Sequence, residues 1–151
     1  MFLKIVSGGQ TGVDRAALDF ALAEGIDYGG WCPRGRRAED GKIATTYNLQ
    51  ETPERSYRQR TQWNVRDADG TLIMINRELK GGTLYTLKTA RKMDKPVLVV
   101  SFAEGADQSA VDEWLERNNV RTLNVAGPRA SSEPAIYALS LAFLRNLYMS
   151  R

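Results

Sequence analysis

Apolar and polar positions fall into blocks that read in turn as strand, loop and helix. The apolar run Phe2 to Val6 has the length of a short strand, and Val13, Ala16, Ala17, Phe20 and Ala21 recur at helical period beyond a polar, glycine-rich stretch. Gly25 stops that helix, and Tyr28 to Trp31 predicts a second short strand. Residues 32–54 then turn polar and irregular, punctuated by Pro33, Gly35, Gly41 and Pro53. A loop of that length is long for a compact domain. Arg55 to Ala68 predicts a helix whose inward stripe is Tyr57, Thr61, Asn64, Val65 and Ala68. Thr71 to Ile75 is a continuous apolar run, as in a parallel strand covered on both faces. A helix marked by Leu84, Leu87, Ala90 and Met93 follows, then a strand over Pro96 to Ser101 and an amphipathic helix over Gln108 to Asn118. The last strand is Thr122 to Val125 and the last helix Ala135 to Tyr148. Strands alternating with helices predict an α/β chain: a mostly parallel sheet flanked by helices in three layers, Rossmann-like, with residues 1–151 as one domain.

Three of the predicted strands end in turns suited to an anion. The first is Ser7-Gly8-Gly9-Gln10-Thr11-Gly12-Val13-Asp14, where glycines let a ligand approach main-chain N–H groups and the helix start adds unpaired donors. Thr11 with Asp14 three residues on also reads as a capping pair, so the loop is either an anion site or a plain tight turn. Its spacing matches neither the dinucleotide fingerprint nor the phosphate loop with its lysine. Lys80-Gly81-Gly82-Thr83 repeats the strand, glycine pair, helix order, and Ala126-Gly127-Pro128-Arg129 makes a third turn. Ser131 or Ser132 could cap the helix after it. Loops gathered at strand C-termini are what a ligand crevice in an open α/β sheet needs.

Other residues extend this picture. Arg34, Arg36 and Arg37 cluster at a strand end as an anion clamp or as a solvated loop. Thr61 and Asn64, polar on an inward stripe, either bond to backbone or point at a ligand. Trp63 is open to stacking on a ring or to ordinary packing, and Arg15 to a surface pair with Asp19 one turn on. The last helix is apolar over much of its circumference. That suggests either cover by another subunit in a homo-oligomer or burial on a crowded sheet face.

Composition narrows the chemistry. The chain has no histidine, which removes the commonest general base and metal ligand and any Ser-His or Cys-His pair. Its one cysteine, Cys32, excludes an intramolecular disulfide and a cysteine-rich zinc site, and no metal site is expected. The net charge of +3 suits a small anionic ligand but not nucleic acid, which asks for a clustered basic face. The apolar runs are too short or interrupted for a secretory signal or a membrane span, so a cytoplasmic setting is expected.

Taken together, the strings SGGQTGVDRAALD, GWCPRGRRAEDG, YRQRTQWNVRDADGTLI, GGTLYT and AGPRASS resemble the molybdenum carrier proteins. These are a circularly permuted YpsA-like branch of the Rossmann superfamily that holds the lysine-decarboxylase-like (LOG) enzymes and DprA. In DprA-like relatives the Gly-x-Arg turn comes before the Ser-Gly-Gly loop, whereas here Gly127-Pro128-Arg129 lies near the C-terminus and Ser7 to Asp14 near the N-terminus. The resemblance implies that both turns line one crevice holding an anionic, pterin- or nucleotide-like ligand. In the carriers this is the molybdenum cofactor, and molybdoenzymes are the clients. Gly8, Gly9, Gln10, Thr11, Arg34, Arg36, Thr61, Asn64, Gly81, Gly82, Thr83, Gly127 and Arg129 are the expected ligand contacts. LOG-type hydrolases carry a catalytic glutamate after the second glycine turn; here Thr86 or a neighbour stands in its place. An enzyme acting on a nucleotide or nucleoside phosphate would then need Asp14, Asp67 or Asp69 as its acid or base.

Overall fold

A computed structural model describes residue 2 and residues 4–150. The first apolar run gives β1 (Lys4–Val6); Leu3, inside the expected strand, lies outside the described residues. Helix α1 (Val13–Glu24) stops where Gly25 takes a left-handed φ of 65°. The expected strand Tyr28 to Trp31 divides at Gly30, giving β2 (Asp27–Gly29) and β3 (Trp31–Cys32), which belong to different sheets. Gly30 has φ 126°, and a Cβ there would lie 2.4 Å from the carbonyl oxygen of Ser7. Only glycine lets the chain bend this close to the end of β1.

The long polar segment is ordered rather than a bare loop. β4 (Arg37–Ala38) and β5 (Gly41–Lys42) form a small hairpin, and β6 (Gln50–Glu51) pairs parallel with β3. Helix α2 (Tyr57–Asp67) starts where Ser56 Oγ accepts the Gln59 N–H. Then come β7 (Gly70–Ile75), α3 (Gly81–Lys92), β8 (Val97–Ser101), α4 (Gln108–Arg117), β9 (Thr122–Ala126) and α5 (Ile136–Met149).

The main sheet has five parallel strands in the order β2-β1-β9-β7-β8. The last strand in the chain is therefore the central one. Taken as if the C-terminus ran on into the N-terminus, the strands β9, β1, β2, β7, β8 counted one to five stand in the Rossmann order 3-2-1-4-5. The permutation implied by the order of motifs is thus visible as topology. Along β7 the side chains alternate between two layers: Leu72 and Met74 face the cluster shared with α1, α4 and α5, while Ile73 and Ile75 face Leu87 of α3. Ile136, Phe143, Leu144 and Leu147 of α5 are buried in the first of those clusters. The chain itself covers these four residues, while Leu139 and Met149 of the same helix are exposed. Among the described residues no helix is long and apolar enough to cross a membrane.

Candidate functional site

The turns after β1, β7 and β9 surround a cavity of about 620 Å³. That is the size of a small-molecule pocket, on the order of 300–1,000 Å³. The first turn contributes Gly8 and Gln10, the second Gly81, Gly82 and Thr83, and the third Gly127 and Arg129. Thr61 and Asn64 reach the wall from α2, and Asp14 from the first turn of α1. Close backbone approach holds the turns together. A Cβ on Gly12 (φ 83°) would lie 2.2 Å from the Pro128 carbonyl oxygen, and one on Gly127 would lie 2.3 Å from that of Met74. Glycine at both positions lets the third turn settle onto the first helix and onto β7.

Hydrogen bonding separates the turns into closed and open donors. In the first loop Gly9 N–H donates to Ser7 Oγ, Gln10 N–H to Asp14 Oδ2 and Thr11 N–H to Gln10 Oε1. Those main-chain donors are spent within the loop. The expected Thr11–Asp14 capping pair does not form, because α1 is capped by Gly12 with no side-chain bond. Thr11 Oγ1 instead accepts the Ala130 N–H at 3.0 Å and donates to Glu39, while Gly9 and Thr11 themselves do not line the cavity. At α3, by contrast, Lys80 provides no side-chain cap, and a Cβ on Gly82 would meet nothing within 4 Å. The first N–H groups of that helix and its positive dipole end are open to an anion.

The charges at the wall are unevenly compensated. Arg60, from α2, places Nη1 3.8 Å from Asp14 Oδ2 and donates to the Gly8 carbonyl at 3.1 Å. Both side chains are nearly buried. Burial pushes the Asp14 carboxyl up to about 6, against the opposing pull of Arg60, and burial also lowers the Arg60 guanidinium against the pull of Asp14. The Tyr57 ring gathers three guanidiniums, of Arg37 at 5.0 Å, Arg60 at 5.2 Å and Arg129 at 5.8 Å. Because Asp14 holds its proton more tightly folded than unfolded, its contribution to stability is full below pH 4 and is lost as pH rises through about 6. A shift of about 2 pH units is worth roughly 3 kcal/mol. Denaturant unfolding of wild type and Asp14→Asn at pH 4 and at pH 7 checks this: wild type loses about that much relative to the variant across the interval.

Several residues singled out by sequence have other work. Arg36, at φ 56°, donates to the carbonyls of Ile43, Ala44, Tyr47 and Leu49, and so holds the 32–54 segment together instead of clamping an anion. Arg34 is exposed and outside the cavity. Asn64 spends its amide on both main-chain groups of Trp31, at 2.8 and 2.9 Å, as a neighbouring strand would. Asp67 lies outside the cavity and binds Trp31 Nε1 and Arg66, and Asp69 accepts from the N–H groups of Arg121 and Thr122. Arg15 pairs with Asp40 rather than Asp19, Trp63 packs edge-on against Trp31 at 4.6 Å, and Cys32 is buried beside Leu18, Ile43 and Leu49. Ser131 bonds Glu39 and caps nothing, since α5 begins after Ala135.

Sequence reasoning passed over Arg60 and Glu39. Arg60 shares a face with Tyr57 and Asn64 at i+3 and i−4 spacing, a signal that was available. Glu39 had none: it links Thr11 and Ser131 from the tip of the β4–β5 hairpin, and those hydrogen bonds hold its carboxyl below the usual range. Thr86, where the hydrolases carry their acid, lines the cavity and bonds the Gly82 carbonyl at 3.0 Å.

A five-stranded parallel sheet in this order, with its crevice at the switch between β9 and β7, defines a Rossmann-like α/β protein. The circularly permuted YpsA SLOG family matches residues 5–148, and the chain belongs to that family. It is similar to a crystal structure from Syntrophus aciditrophicus SB described as a "putative molybdenum carrier protein", with 45% identity, a TM-score of 0.92, and coverage of 95% of this chain and 93% of that one. No curated protein matches the chain.

Proposed function

We propose that the protein is a carrier for an anionic, phosphorylated ligand, the molybdenum cofactor, held at the cavity between the three turns. The observation that carries this is the uncapped N-terminus of α3 facing the same space as Arg60 and Arg129. A phosphate there is met by main-chain N–H groups and by guanidiniums suited to it. Arg129 and Thr61 complete the proposed contacts with Gly8, Gln10, Gly82 and Thr83. The cavity suits the phosphate and pterin parts of the cofactor rather than its metal: no histidine exists in the chain and Cys32 does not line the wall. The molybdenum, as cargo, would keep its own sulfur ligands. Threonine at position 86 supports holding over hydrolysis, because the acid that breaks an N-glycosidic bond in the related enzymes is missing there. In this reading residues 1–151 act as one domain in the cytoplasm, and a molybdoenzyme receives the cargo.

The test is native mass spectrometry with metal analysis on protein purified gently from a host that makes the cofactor. The expected result is a pterin-sized adduct with one molybdenum per adduct. It should be absent from Gly82→Leu, a change at a lining position where an added Cβ would meet nothing within 4 Å. The melting temperature of that variant should stay within about 3 °C of wild type, as for a surface change. An adduct of nucleotide mass without molybdenum overturns the carrier reading in favour of a nucleotide enzyme.

A further inference from the structure

Tyr57 lines the cavity, and guanidiniums from three parts of the chain converge on its ring. Arg37 of β4 lies 5.0 Å from the ring centroid, Arg60 of α2 5.2 Å, and Arg129 of the turn after β9 5.8 Å. An aromatic ring attracts a cation at its face, and it has only two faces. At least two of the three cations therefore share one face, where they repel each other. The ring alone does not account for the cluster.

Carboxylates of the chain do not account for it either. Arg60 has its counter-charge in Asp14 at 3.8 Å. Among the described residues neither Arg37 nor Arg129 forms an ion pair. Arg37 Nη1 donates to the Arg55 carbonyl at 2.5 Å, a neutral acceptor. Glu39 feels the charge of Arg129, but its two oxygens are held by the Thr11 hydroxyl and by the N–H and hydroxyl of Ser131. Two guanidiniums, planar forks that match a phosphoryl group, thus stand uncompensated at one ring. Arg129 lines the cavity, while the half-buried Arg37 is not part of its wall, so the pair marks the rim.

We propose that Arg37 and Arg129, gathered at Tyr57, form a second anion subsite at the rim of the cavity, so that the ligand carries a chain of at least two phosphoryl groups. One phosphoryl group sits at the uncapped start of α3 and another reaches Tyr57; both places open on the one cavity, whose wall includes Gly82 and Tyr57 alike. Of the arginines clustered after β3, Arg36 is spent on the carbonyls of its own segment and Arg34 lies exposed outside the cavity. Arg37 is the one placed to act as a clamp. This inference rests on the proposed ligand site and deepens it, by making the phosphorylated part of the ligand a di- or oligophosphate.

Calorimetric titration at pH 8 with inorganic phosphate and with tripolyphosphate tests it on wild type, Arg37→Gln, Arg129→Gln, Arg121→Gln and Gly82→Leu. Arg121→Gln removes the same charge from an exposed position ahead of β9, at the opposite end of the sheet. Wild type should bind tripolyphosphate at least about tenfold more tightly than phosphate, and Arg37→Gln and Arg129→Gln should each bring that ratio below about threefold. In about 0.1 M salt a distant charge is screened, so Arg121→Gln should keep the ratio. Gly82→Leu should weaken both probes. Equal binding of the two probes by wild type, a ratio that survives both Arg37→Gln and Arg129→Gln, or one that falls as far in Arg121→Gln, overturns the second subsite, while the loss in Gly82→Leu leaves the site at α3 standing. Binding of neither probe overturns the site reading together with it.

Discussion

Replacing Arg60 with methionine is expected to destabilise the folded chain by about 3–5 kcal/mol at pH 8, because it leaves the Asp14 carboxylate buried without its cation. The guanidinium lies 3.8 Å from Asp14 Oδ2 and supplies the donor to the Gly8 carbonyl, so both groups lose their partner. The defect should depend on pH in a definite direction. Asp14 already takes its proton at about 6 with Arg60 present, and removing the opposing positive charge raises that value further. Below it the carboxyl is neutral and the missing cation matters little. Thermal unfolding of Arg60→Met and wild type should therefore differ widely at pH 8 and much less at pH 5. A difference that is the same at both values would mean that packing, not charge, explains the loss. Pyrophosphate binding at pH 8 should weaken in parallel, since the cavity loses a cation while keeping an anion.

Gly127→Ala is expected to lower the melting temperature by about 10 °C, corresponding to roughly 4 kcal/mol in a chain of this size. The added Cβ would fall 2.3 Å from the Met74 carbonyl oxygen and 2.4 Å from Val13 Cγ2, inside the contact distance of both. One neighbour is the backbone of a central strand, so the third turn must move away instead. That shift carries Arg129 out of register with the start of α3, and ligand binding should fall with stability. Gly82→Ala is the matched control: nothing lies within 4 Å of its Cβ, and stability should be unchanged or slightly improved. Differential scanning calorimetry of the two variants separates a glycine needed for packing from one needed for access.

Much of the architecture was legible because its signals are local. The continuous apolar run at β7, the left-handed stop at Gly25 and the strand, glycine turn, helix order each depend on residues a few positions apart. The order of the Gly127-Pro128-Arg129 turn and the Ser7 loop likewise implied the permutation that the sheet order displays. Arginines were the harder case. Arg34, Arg36 and Arg60 are chemically equal in a sequence, yet Arg36 is spent on four carbonyls of its own segment while Arg60 reaches the cavity. Asn64 was legible as a polar residue on an inward face, and only its bonds to Trp31 decide that it braces the wall.

By itself the sequence determined the order of the elements and which turns end up at the C-terminal edge of the sheet, since hydrophobic periodicity and chain reversal are properties of short stretches. Only the tertiary structure decided which polar groups remain free to meet a ligand. That depends on pairings such as Ala130 N–H with Thr11, 119 positions apart, and Glu39 N–H with Gln10, 29 apart. A hydrogen-bond donor is available only when nothing else in the folded chain has reached it first, and such long-range competition leaves no pattern in local sequence.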